Sequence, residues 1–267
     1  SVKRSIDDLL AGPYHRLLLL DWTRDELGAA CRDRQQMAYV YLLGSREIAR
    51  ENREQPPMVV WPPDGAEGVP PVFFAEQPDP LPGHDFSGYP VSVGFNPAHF
   101  PEPPGQVTLR LVEAETGRPV PAIVQRQHDN DPHGLLTEHQ FVLFPGERLG
   151  WGQDYRVELR YHDDRSHRHA WSFRTREPDA PMHEITEAGQ VVQAEPGRPF
   201  LLYVPPGDGS DRGDATPTGP GMSYRMTRRQ SLRLDAEFVD PHVLRVVADG
   251  GGDGEIEFQG RRVRIAL

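Results

Sequence analysis

The chain has 267 residues, enough for two or three domains, and its 37% of hydrophobic residues with 28 prolines and 26 glycines favours short strands joined by turns over a helical protein. The formal net charge is −11 and no basic cluster stands out from the acidic background, which disfavours nucleic acid as a partner. A single cysteine excludes an intrachain disulfide, and no apolar run approaches the roughly 20 residues that span a bilayer.

The first 55 residues are predicted to form a small region of helices and strands. Ser5 is a helix-capping residue type followed by two acidic residues, which indicates a helix start, and Gly12-Pro13 interrupts that helix. A second short helix is predicted over Tyr14–Leu20. Two strands follow at Glu26–Cys31 and Met37–Leu43, of which the second is rich in Tyr and Val.

From Pro56 onward the pattern is that of short strands with turn signals between them, which is typical of a β-sandwich. Alternation is clearest in Tyr155–Tyr161, where charged residues occupy one face and the other is shared by Tyr155, Val157, Leu159 and Tyr161. The predicted strands of this block are Met58–Trp61, Val72–Phe74, Pro90–Phe95, Val107–Glu113, Ala122–Gln125, Gln140–Phe144, Tyr155–Tyr161 and Ala170–Arg174.

A third block follows the linker-like segment Glu177–Pro181. Pro206–Gly221, which is dominated by Gly, Asp, Pro, Ser and Thr, is predicted to be a loop inside it. Its predicted strands are Gln190–Ala194, Phe200–Val204, Ser231–Phe238, Val243–Ala248, Glu255–Phe258 and Val263–Leu267. The second and third blocks are compatible with two variants of one sandwich, although no clean sequence repeat is visible.

The segment Leu9–Asp21, with Pro13, His15 and Arg16 ahead of four leucines, is followed by the apolar stretch Glu26–Ala30. Together these residues resemble the final part of a CAP domain, the superfamily of cysteine-rich secretory proteins, antigen 5 and pathogenesis-related proteins. The resemblance covers residues 5–44.

By that resemblance, His15 takes the place of the second histidine of the family's His/Glu/Glu/His cleft. The family's first histidine and both glutamates come from an N-terminal half that this chain lacks, and one histidine cannot build a metal-binding or proton-transferring cleft. Two explanations stay open: residue 1 is not the native start, or the domain has degenerated.

A second resemblance covers residues 56–177. The segments Trp61–Gly65, Pro78–Gly83 and Gly88–Val93 are similar to the region that follows the CAP domain in many bacterial proteins. Further on, Pro145–Leu149, Tyr155–Leu159 and Trp171–Thr175 resemble the end of a bacterial immunoglobulin-like domain. The resemblance implies that Tyr155 buries its ring and bonds its hydroxyl to nearby backbone.

His15 is the only catalytic candidate. One interpretation is a ligand or general base with a pKa near neutrality. The other is a structural histidine at the edge of a helix, held by Tyr14 and by backbone carbonyls. Because no partner residue lies near it in the sequence, the structural interpretation is favoured and no catalytic residue is assigned.

Two stretches between strands carry metal-ligand residue types. Carboxylates suit calcium and imidazoles suit zinc or nickel, but neither stretch has the spacing of an established ligand loop, and the same residues build tight turns. Solvated loops are therefore favoured, and neither a metal nor a cofactor is predicted. The metal candidates are His128, Asp129 and Asp131 in one stretch and His162, Asp163 and His167 in the other.

The predicted fold class is mainly β, with two immunoglobulin-like β-sandwich domains over residues 56–177 and 182–267, preceded by a small α+β, partly CAP-like region over residues 1–55. The predicted function is that of a secreted or cell-surface bacterial binding or structural protein, an adhesion or scaffold module and not an enzyme. Its expected partner is a protein or a cell-surface or extracellular-matrix component, and it could also self-associate or be a subunit of an extracellular assembly. The alternative is a hydrolase-like or lipid-binding CAP protein whose cleft-forming first half is missing from this chain.

Overall fold

The fold is described from a computed structural model, over residues 6, 9–22, 24, 26–33, 37–44, 55–74, 76–163, 165–205, 224–228, 232–240 and 242–267. The predicted loop 206–221 lies outside these residues, as do positions 5, 7 and 8 of the first predicted helix, whose positions 6 and 9–11 are helical. The chain divides into two compact units. The first comprises Ser1–Pro82 and Phe86–Arg176, and the second comprises Gly83–Asp85 and Glu177–Leu267.

The first unit begins with a helix and a hairpin. Helix α1 spans Pro13–Leu19, where Pro13 at its first position supplies the backbone angle that a helix start needs. Strands β1 (Glu26–Asp33) and β2 (Met37–Gly44) pair antiparallel in a two-stranded sheet. The helix and both strands predicted for this segment are therefore confirmed, with ends that differ by one or two residues.

The rest of the first unit is a sandwich of two sheets. One sheet has the order β10-β11-β7-β3 and the other has the order β4-β13-β12-β8-β9, while β5 and β6 form a separate short pair. The strands are β3 (Met58–Trp61), β4 (Ala66–Val69), β5 (Val72–Phe73), β6 (Ser87–Gly88), β7 (Val91–Phe95), β8 (Gly105–Glu113), β9 (Pro119–Val120), β10 (Ala122–Arg126), β11 (Gln140–Pro145), β12 (Asp154–His162) and β13 (Ser166–Thr175).

Alternating side chains of both sheets fill the core between them, as in any sandwich whose outer faces meet water. Val157 and Leu159 of β12 point inward with Trp171 and Phe173 of β13, and all four are at most 2% exposed. Phe95, which is fully buried, contacts Phe141 and Tyr161 edge to face. The face predicted for Tyr155–Tyr161 is therefore the core face.

Tyr155 closes a corner at the start of β12. Its ring is 2% exposed, and its hydroxyl oxygen accepts a 2.8 Å hydrogen bond from the Gly150 backbone N–H. The same hydroxyl donates to the side chain of Gln153 at 3.1 Å. A tyrosine at this place, bonded a few residues upstream, is a hallmark of immunoglobulin-like sandwiches, and the prediction for Tyr155 is confirmed.

The second unit is also a sandwich of two four-stranded sheets. Their orders are β14-β16-β19-β18 and β15-β21-β20-β17, around a core that includes Phe200, Leu244, Ile256 and Ile265. The strands are β14 (Met182–Glu184), β15 (Gln190–Gln193), β16 (Pro199–Tyr203), β17 (Tyr224–Arg228), β18 (Arg233–Asp240), β19 (Val243–Asp249), β20 (Asp253–Phe258) and β21 (Arg261–Ala266).

The two sandwiches share one strand order. Without the short pair β5–β6 and the edge strand β9, each has eight strands among the described residues, and in each the first, third, sixth and fifth form one sheet. The second, eighth, seventh and fourth form the other, which is the order of an immunoglobulin-like fold. One difference separates them: the first strand pairs antiparallel with the third in the first unit (β3 with β7) and parallel in the second (β14 with β16). Both units are therefore immunoglobulin-like β-sandwiches.

Candidate functional site

The N-terminus of helix α1 is capped by a distant carboxylate. The N-cap residue, Gly12, has no side chain to accept a hydrogen bond, so the first N–H groups of the helix need another partner. Glu76 supplies it, because its two carboxylate oxygens accept from the backbone N–H of Tyr14 at 2.8 Å and of His15 at 3.2 Å. A Cβ atom on Gly12 would collide with that carboxylate, which explains the glycine at this position.

The same carboxylate binds the His15 imidazole. Nδ1 of His15 lies 2.6 Å from Oε2 of Glu76, and the Glu76 side chain is only 5% exposed while that of His15 is 41% exposed. The hydrogen bond to Glu76 raises the pKa of His15 above its ordinary value, against a smaller lowering by burial. The partner of His15 is thus a carboxylate 61 residues away, a contact that the local sequence did not reveal.

The His15–Glu76 pair predicts a pH-dependent stability. Because the folded-state pKa of His15 lies above the unfolded value of about 6.5, the protonated pair stabilises the fold most below about pH 6.5. That contribution is lost as the pH rises through the folded-state pKa. Urea unfolding of the wild type and of His15→Gln should therefore differ more at pH 6 than at pH 9; a difference that is constant or grows with pH would contradict the pairing.

A second contact ties helix α1 to the loop after β10. The Tyr14 hydroxyl donates to Oδ1 of Asp131, and Oδ2 of Asp131 accepts the backbone N–H groups of Leu135 at 2.5 Å and Leu136 at 2.9 Å. Burial and the bond to Asp131 raise the pKa of Tyr14 far above its usual value, so the phenol stays a donor. Burial opposes charge on Asp131, but the bonds from Tyr14 and the backbone outweigh it and hold the pKa of Asp131 below its usual value.

These two contacts frame a pocket of about 210 Å³. Helix α1 forms one wall and the loop held by Asp131 forms another. Leu18 is 48% exposed and Leu135 is 52% exposed, and both line the pocket. Its other lining residues are Tyr14, His15, Leu17, Asp21, Gln77, Pro78, Leu136, Thr137 and Gln140.

The buried side of helix α1 carries a charge. Arg16 is fully buried, its Nη1 donates to the Pro90 carbonyl at 3.0 Å, and its guanidinium lies 5.6 Å from the ring centre of Tyr89 and 6.0 Å from that of Trp61. Nε and Nη2 have no hydrogen-bond partner within the part of the chain that the structure describes. Burial lowers the pKa of Arg16, although a guanidinium still stays protonated. Arg16 therefore fastens the helix to the sandwich through this hydrogen bond and through its contacts with the two aromatic rings.

Two of the metal-ligand candidates in the first stretch, His128 and Asp131, form hydrogen bonds that hold the loop carrying Leu135. His128 Nδ1 lies 3.0 Å from the Leu136 carbonyl, and both oxygens of Asp131 are engaged as described above. Asp129 is exposed in a short 3-10 turn, His128–Asn130. The structure therefore gives two of these three residues a contact that holds the wall of the pocket.

The candidates of the second stretch lie at the hairpin between β12 and β13. Nε2 of His167 lies 2.8 Å from Oδ1 of Asp163, and the His167 ring stacks on Tyr161. His162 instead faces the Ser166 hydroxyl at 3.4 Å. Across the described ranges, no three histidine, cysteine, aspartate or glutamate side chains converge in a way that could hold a metal ion.

Comparisons with known proteins do not assign this chain to a family. No family model matches the chain, and no curated protein matches it. An I-band fragment of titin is 9% identical over 92% of this chain and 76% of its own, at a TM-score of 0.25. The N-terminal Ig1-2 module of the Drosophila receptor protein tyrosine phosphatase DLAR is 12% identical over 79% of this chain and 98% of its own, at 0.22.

An endo-fucoidan hydrolase of glycoside hydrolase family 107, MfFcnA9, is 11% identical over 61% of this chain and 32% of its own, at a TM-score of 0.23. TM-scores this low do not establish a common fold, so the fold assignment rests on the strand order and on the Tyr155 corner. Within the described residues, no helix is both long and apolar enough to cross a membrane.

Proposed function

We propose that this protein is a binding module of the adhesion or scaffold type, and that its first sandwich holds a protein partner through the pocket beside His15. The observation that carries the proposal is the pair of exposed leucines, Leu18 and Leu135, that line one pocket from two different elements. Contiguous exposed apolar surface, unlike isolated apolar side chains, marks binding sites on protein surfaces. A secreted or cell-surface setting is part of the same proposal.

The size of the pocket favours a protein partner over a cofactor. Pockets for drug-sized ligands and cofactors usually measure about 300–1,000 Å³, whereas this one measures about 210 Å³. A volume of that size accepts one or two side chains, as do the pockets that receive the anchoring residues of protein interfaces. His15 and Gln140 also line the pocket, and their polar side chains can bond the backbone of a partner segment around its anchor.

The contacts of His15 and Glu76 favour binding over catalysis. Glu76 is occupied by two helix N–H groups as well as by the imidazole, which makes it a structural cap. The alternative function, a CAP-type hydrolase or lipid-binding protein completed by residues outside this chain, is supported by one feature. A carboxylate on Nδ1 orients a histidine as it does in catalytic triads, and leaves Nε2 available.

Selection from a random peptide display library tests the proposal. The whole chain is immobilised and used to select peptides. The enriched peptides are expected to share one apolar anchor residue of the Leu, Ile, Met or Phe type. Leu135→Glu places a charge at the pocket and should weaken binding of a selected peptide by about 2 kcal/mol, roughly 30-fold in Kd. Because Leu135 is exposed, the substitution should change the free energy of unfolding only slightly.

Val191→Glu is the matched control, because Val191 is the third large apolar side chain exposed in the described part of the chain and belongs to the second sandwich. It should leave the affinity of the selected peptide unchanged. Equal affinity of the selected peptide for the wild type and for Leu135→Glu would contradict the proposal that the pocket is the binding site. Cleavage of the bound peptide would instead favour the hydrolase alternative.

A further inference from the structure

The outer face of the β8–β12–β13 sheet concentrates positive charge on an acidic chain. Arg156 and Arg160 of β12, Arg168 of β13 and Arg110 of β8 all occupy outward positions, alternating with core residues. Glu158 and Asp154 of β12 are the acidic residues at outward positions of this strand, and Asp154 forms an ion pair with Arg174 of β13 at 2.8 Å. Arg156, Arg160, Arg168 and Glu158 line a cavity of about 260 Å³, together with Leu159, His169 and Ala170.

Two of these arginines, Arg160 and Arg168, lie opposite each other on neighbouring strands. Arg160 is directly opposite Arg168 in the β12–β13 register, so their Cβ atoms are about 5 Å apart. Both side chains are exposed, and neither has an ion pair or hydrogen bond to its side chain within the described ranges. Like charges directly opposite each other destabilise a strand pair, so a bound anion would relieve a cost that the free protein carries.

The remaining charges limit which anion fits. Glu158 forms ion pairs with Arg156 at 2.5 Å and with Arg110 at 3.7 Å, and so places a negative charge in the middle of the patch. A uniformly charged polyanion would be repelled there. Separate carboxylates joined by neutral residues can contact the arginines on either side of it, and guanidinium groups bind carboxylates in a two-pronged geometry.

The spacing matches an extended peptide. Arg156 and Arg160 are four residues apart on one strand, which is about 13 Å, and carboxylates four residues apart on an extended peptide have the same spacing. The positions opposite Glu158 and Arg156 on β13 are the small residues Ala170 and Ser172, which leave room for such a segment. We propose that the outer face of β8, β12 and β13, centred on Arg160 and Arg168, binds an acidic extended segment of a partner protein.

The surface differs from the pocket beside His15, so either proposal can fail without the other. The test uses the full chain, a fluorescein-labelled peptide with aspartates at every fourth position among serines and threonines, and the same peptide with asparagines. Fluorescence polarisation should show binding of the aspartate peptide alone, weakening as salt is added. Arg168→Thr should weaken it about tenfold or more, the effect of losing one charge-assisted contact.

Stability separates a binding role from a structural role. Arg168→Thr removes the opposed charges and introduces a good strand former, so its melting temperature should equal or exceed that of the wild type. Arg160→Thr, on the neighbouring strand, should give the same result. Arg233→Thr, at an exposed strand position of the second sandwich, is the matched control and should leave peptide affinity within twofold.

Three results would overturn the proposal. Equal binding of the aspartate peptide by the wild type and by both threonine variants would show that Arg160 and Arg168 do not form the binding site. Lower melting temperatures in both variants would assign the arginines to packing. Tighter binding of dextran sulfate than of the aspartate peptide, at the same ionic strength, would assign the face to a sulfated polysaccharide instead.

Discussion

Arg16→Ala is expected to lower the free energy of unfolding of the first sandwich by about 2–5 kcal/mol, the cost of removing a long, fully buried side chain. The substitution leaves a cavity between helix α1 and the rings of Trp61 and Tyr89, and it leaves the Pro90 carbonyl without its donor. Urea unfolding, followed by the tryptophan fluorescence of the full chain, measures the loss.

Arg16→Met is the matched variant. It keeps the apolar stem in the cavity and removes a cation whose burial is costly, while the Pro90 carbonyl loses one hydrogen bond. These effects oppose each other, so its stability should stay within about 1 kcal/mol of the wild type. If Arg16→Met is as unstable as Arg16→Ala, the charge itself holds the helix, and the aromatic packing does not.

Tyr155→Phe is expected to lower the free energy of unfolding by about 1–3 kcal/mol, because it leaves the Gly150 N–H without the phenol oxygen as its acceptor. The ring remains, so its stacking on Phe173 and its burial are preserved. The measurement is the urea midpoint at constant slope, which reports a change in stability alone.

Tyr161→Phe is the control for Tyr155→Phe. Tyr161 lies near the other end of the same strand, and its ring packs against Phe95 and Phe100. Removing the Tyr161 hydroxyl should lower the free energy of unfolding clearly less than Tyr155→Phe does. Equal midpoints for the wild type and Tyr155→Phe would show that the corner hydrogen bond does not stabilise the sandwich.

The sequence predicted most of the longer strands and missed several of the shortest. Tyr155–Tyr161 alternates strictly, and its core face was identified correctly. Ser87–Gly88 and Pro119–Val120 have two residues each and carry no period, so they become strands only because a neighbour pairs with them. Tyr224–Arg228 was missed too, although Tyr224 and Met226 do alternate with polar residues.

The candidate site was harder to predict because its contacts are distant in sequence. His15 was identified, but Glu76 follows it by 61 residues and carries no local signal of a cap. The pair of arginines on the outer sheet face carries no local sequence signal either, since Arg160 and Arg168 are separated by a hairpin whose register sets them opposite each other. Only the pairing of strands turns these dispersed residues into one surface.

The binding role of the first sandwich is tested most directly by methyl NMR of the full chain, labelled at leucine and valine, during titration with a peptide selected for binding. The account predicts shifts of the methyl groups that line the pocket, on Leu17, Leu18, Leu135 and Leu136, with Val191 unchanged and the peptide recovered intact. Shifts confined to residues outside the pocket, or a peptide recovered in fragments, would contradict it.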